Sequence, residues 1–60
     1  MPSKEYQIQE LKERITFLQD YYNKMEEMGS TPIMLGIIAM KKCELEERLE
    51  ILEAENDNNR

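Results

Sequence analysis

Sixty residues, 40% of them apolar and 35% charged, are enough for one small folded domain and too few for a second. The chain has no His, no Trp and a single Cys, Cys43, which excludes an internal disulfide and most catalytic and metal-binding chemistry, so no catalytic, cofactor-binding or metal site is expected. Thirteen acidic residues against eight basic ones give a net charge of −5, which disfavours nucleic acid as a partner.

The first predicted element is a helix over residues 4–28. Strong helix formers dominate this stretch, and neither Gly nor Pro interrupts it. Ser3 is the expected N-cap, and Glu5 complements the dipole in the first turn. Ile8, Leu11, Ile15, Leu18, Tyr22 and Met25 recur at alternating spacings of three and four, which draws an unbroken apolar stripe along one side. Gly29 suits a left-handed C-cap, and residues 29–31 read as the turn.

Thr31-Pro32 restarts the chain as a second helix over 32–55. The residue before proline is pushed out of the helical region, which fits an N-cap, and proline is tolerated at the first helical position. Its stripe is Leu35, Ile38, Lys42, Leu45, Leu49 and Leu52, with Lys42 as the one polar intruder. Residues 56–60 are poor helix formers and read as a frayed polar tail.

A short break between two helices of similar length predicts an antiparallel αα-hairpin spanning residues 1–60 as one domain, an all-α fold. Pairing Ile8 with Leu52, Leu11 with Leu49, Ile15 with Leu45, Leu18 with Lys42, Tyr22 with Ile38 and Met25 with Leu35 gives one consistent register. Its midpoint is Ser30, the centre of the turn. These residues, without Lys42, form the expected intrahairpin core. Lys42 is expected to snorkel from the seam toward Asp20 or Glu46 and to help set register. Glu10–Arg14, Asp20–Lys24, Lys42–Glu46 and Glu44–Arg48 have the spacing of ion pairs one turn apart.

Apolar residues also fall outside this seam. Phe17, Tyr21, Met28, Ile33, Met34, Ile37 and Met40 all belong to the half of the hairpin nearest the turn. The equivalent edge near the termini carries charges, with Ile51 as its apolar exception, and Arg14, Lys41 and Arg48 could together grip an acidic segment. Below about 70–80 residues one core seldom supplies more than about 3–5 kcal/mol, and no disulfide or metal is available as a staple. The expected staple is self-association, a homodimer forming a four-helix bundle or a higher homo-oligomer, and those seven residues are the expected interface for the oligomer, for a protein partner or for both. Gly36, costly inside a helix, would let another helix approach closely.

The longest apolar run, residues 33–40, falls short of the roughly 20 residues a bilayer span needs. The first residues lack the hydrophobic stretch of a secretion signal, and a lone Cys fits a reducing compartment, so a cytoplasmic protein without membrane contact is expected. The functional expectation is a non-enzymatic protein-interaction module that self-associates and binds or inhibits a larger protein, as a regulator or a phage-encoded antagonist. The alternatives are a nucleic-acid-binding regulator built as a dimeric helical hairpin, which the charge opposes, and a structural subunit of a larger helical assembly.

Overall fold

A computed structural model describes residues 3–58 as two α-helices, α1 (Lys4–Glu27) and α2 (Pro32–Asn58), packed against each other as a hairpin. The rod measures 46 × 16 × 14 Å. Its antiparallel sense is marked by two ion pairs that cross between the helices, Lys4 to Glu55 at 3.6 Å and Lys12 to Glu53 at 3.8 Å.

At each helix start a side chain caps one of the donors that a first turn leaves free. The Tyr6 N–H donates to Ser3 Oγ at 3.2 Å, and the Met34 N–H donates to Thr31 Oγ1 at 3.3 Å. Pro32 occupies the first position of α2, where a missing N–H costs nothing.

The end of α1 is closed by a Schellman arrangement. Met28 is the cap, and Gly29 follows at φ +80°, a conformation that glycine reaches without steric cost. The Ser30 N–H donates to the Met25 carbonyl at 2.9 Å, and the Gly29 N–H donates to the Glu26 carbonyl at 3.1 Å. Three residues, Gly29 to Thr31, thereby reverse the chain and start α2.

The far end of α2 differs from the expected tail. The helix continues through Asn58, so residues 56–58 are helical; Asn59 and Arg60 lie outside the described residues. Asn and Asp weaken a helix without breaking it, and no Gly or Pro intervenes. Asn56 is also half-buried and borders one groove together with Ile8, Lys12 and Glu53.

The seam between the helices is thin. Leu11, Ile38 and Leu45 are the buried apolar residues, at 6%, 6% and 7% exposure. Ile8, Ile15, Leu18, Tyr22 and Met25 on α1, and Leu35, Leu49 and Leu52 on α2, are half-buried beside them. Among the described residues no side chain is completely enclosed. This is what a two-helix layer must give, because each helix has a neighbour on one side only.

Candidate interaction surface

At 100° per residue, the α2 segment from Pro32 to Met40 has apolar side chains pointing in every direction, interrupted by Gly36. Leu35 and Ile38 turn toward α1. Ile33, Ile37 and Met40 fall within about 60° of one another on the side away from α1, with Gly36 beside them. Helices that are apolar all round belong in interiors, yet α1 covers one face of this segment. Ile33 is 77% exposed, and Met34, Ile37 and Met40 are exposed as well.

On α1 the exposed apolar residues of the same half are Phe17, Tyr21 and Met28. Phe17 and Tyr21 lie one turn apart, and their rings stack with centroids 6.2 Å apart and planes 13° from parallel. The stack therefore presents one broad aromatic face beside the hairpin. All seven turn-proximal apolar residues are solvent-exposed, and they lie between the Phe17 level and the turn on neighbouring sides of the two helices.

A groove of about 420 Å³ lies at the inner end of this surface. Phe17, Leu18 and Leu45 supply its apolar lining, while Glu10, Glu13, Arg14 and Lys41 rim it. The rim charges are tied locally. Arg14 Nη2 donates to Glu10 Oε1 at 2.7 Å, and Lys41 pairs with Glu44 at 3.8 Å. Glu44 is thus turned toward Lys41 rather than Arg48, and Asp20 and Lys24 do not pair. Arg14 and Arg48 border one further groove with Leu11 and Leu52. Among the described residues Arg48 has no ion-pair partner.

Lys42 lies on the seam, and its ammonium is directed to Glu46 at 3.9 Å instead of Asp20. A Cβ built on Gly36 would meet nothing within 4 Å, so no contact inside the hairpin accounts for a glycine there. Cys43 is an exposed free thiol. Among the described residues no group of three or more His, Cys, Asp or Glu side chains could hold a metal ion, and no helix is long and apolar enough to cross a membrane.

Tyr6 is an exposed aromatic residue that the stripe reading of the sequence leaves out. The signal for it is a spacing of eleven: Tyr6, Phe17 and Met28 recur at that interval, about three helical turns, and so share one side of α1. Compared with known families, curated proteins and solved structures, the chain matches no family model and no sequence or structure at a significant level.

Proposed function

We propose that this chain is a protein-interaction module that self-associates and binds a larger protein through the turn-proximal apolar surface. The observation that carries the reading is segregation. Of the large apolar side chains exposed on the hairpin, Phe17, Tyr21, Met28, Ile33, Met34, Ile37 and Met40 lie in the half nearest the turn, against Tyr6 and Ile51 in the other half. Scattered apolar residues need no explanation on a protein surface, whereas a concentration of them in one half of so small a chain favours an interaction site there. Four of the chain's five methionines, Met25, Met28, Met34 and Met40, belong to this half, and flexible thioethers suit a surface that adapts to a partner. A module of this kind acts by covering part of its partner, which makes inhibition or regulation its natural mode.

The test compares three tagged proteins in capture from an extract of the native host: wild type, Phe17→Glu and Glu26→Gln. A partner retained by wild type and Glu26→Gln but lost with Phe17→Glu supports the reading. A captured protein indifferent to Phe17→Glu, with all three variants equally helical, contradicts it.

A further inference from the structure

We propose that the face of α2 turned away from α1, formed by Ile33, Gly36, Ile37 and Met40, docks on the same face of a second copy. The two α2 helices run antiparallel about a two-fold axis at Gly36–Ile37. This rests on the self-association in the reading above and adds the face, the direction and the register. It leaves the Phe17 groove on the neighbouring edge open to a foreign protein.

The occupant follows from area. The hairpin exposes 4934 Å², whereas a compact chain of 7.2 kDa exposes about 4,100 Å². The excess, roughly 800 Å², belongs to the elongated rod and is of the size each partner contributes to an interface of standard size. A second copy removes exposed apolar area from both chains at once, since a two-fold interface uses the same patch twice.

The face follows from comparing the backs of the two helices. Opposite its seam, α1 carries Glu13, Thr16, Asp20 and Glu27, a mainly polar side with Tyr6 near the terminus and Phe17 at its border. Opposite its own seam, α2 carries Ile33, Ile37 and Met40, all exposed. Gly36 lies among them, and a Cβ there would meet nothing in the hairpin. A glycine inside a helix costs stability unless something uses the missing side chain, and a second helix crossing at Gly36 does so.

The direction follows from charge. Beyond Met40 the same face of α2 continues as Glu44 and Glu47. In a parallel pair each would face its own copy, carboxylate against carboxylate, with only Glu44 partly offset by its pairing with Lys41. In the antiparallel pair Ile33 of one copy is level with Met40 of the other. Glu44 then stands just in front of the other copy's α2 N-terminus, whose first turn holds no acidic residue. A carboxylate at a helix N-terminus is favoured by the helix dipole.

Disulfide mapping of the full chain, with Cys43→Ser in every variant, tests this. Ile33→Cys combined with Met40→Cys brings two thiol pairs level in the antiparallel dimer. Met40→Cys alone leaves its two thiols about 10 Å apart along the helix axes, seven residues at the helical rise. The expected result, under copper–phenanthroline oxidation at unchanged helicity, is a covalent dimer formed at least tenfold more efficiently by the double variant than by Met40→Cys alone. Efficient cross-linking of Met40→Cys alone, or none by the double variant while sedimentation still shows a dimer, overturns the geometry and leaves self-association standing. A folded monomer in sedimentation overturns both.

Discussion

Lys42 and Glu46, one turn apart on α2, approach to 3.9 Å, and this pair draws the single charged residue of the seam stripe toward solvent. The lysine stem still fills seam space, because its side chain is 28% exposed. Such exposed pairs contribute about 0.3–0.5 kcal/mol, less than a well-packed leucine adds at a half-buried seam position. Lys42→Leu should therefore stabilise the protein by about 1 kcal/mol and raise Tm by roughly 4–8 °C, or else change the oligomer state. Thermal unfolding by circular dichroism together with sedimentation decides. Loss of folding would mean that the ammonium is required within the seam.

The turn makes a second prediction. Gly29 at φ +80° occupies a region where a Cβ costs about 1–2 kcal/mol, although space around it is open. Gly29→Ala should lower Tm by several degrees, and Gly29→Asn by less, since asparagine tolerates this conformation better. Equal Tm values for all three proteins would show that the turn does not limit stability.

Thr31 caps α2 through its hydroxyl, which accepts from the Met34 N–H. Thr31→Ala should cost about 1 kcal/mol, and Thr31→Ser should restore most of it because serine presents the same oxygen. A serine variant as unstable as the alanine variant would move the effect from the cap to the threonine methyl group.

The interhelical pairs Lys12–Glu53 and Lys4–Glu55 are solvent-exposed at 3.8 and 3.6 Å. A double-mutant cycle on Lys12 and Glu53 should give a coupling below about 1 kcal/mol that fades in 1 M salt. By contrast, Leu45→Ala should cost about 2–5 kcal/mol and unfold much of the protein, since Leu45 is one of three buried core residues. If the charge pair outweighs Leu45, the hairpin is held by its edge and not by its seam.

The two helices and their reversal are legible in the sequence because Ser3, Gly29, Thr31 and Pro32 each have a local backbone reason to stand where they do. The alternation of three and four also fixes which side of each helix faces the other, so Tyr22 and Ile38, placed at one level by the register, line one groove in the structure. Other features were not legible. The end of α2 lies beyond Leu52, the last apolar stripe position, where helix propensity is low but no Gly or Pro marks a stop. The choice of Glu44 for Lys41 over Arg48 is made among long, flexible side chains that several partners satisfy almost equally. Lys4–Glu55 and Lys12–Glu53 needed the two helices to be set side by side first. Tyr6 escaped because its face repeats every eleven residues, outside the seam spacing.

If one hairpin does not suffice, as we propose, folding and association are a single event. Sedimentation equilibrium of the full chain from about 1 to 100 μM, paired with thermal unfolding at the same concentrations, tests it most directly. The expected result is a dimer or higher oligomer whose Tm rises with concentration, because mass action stabilises a folded state that exists only when associated. A cooperative, fully helical monomer of 7.2 kDa with a Tm independent of concentration would contradict it.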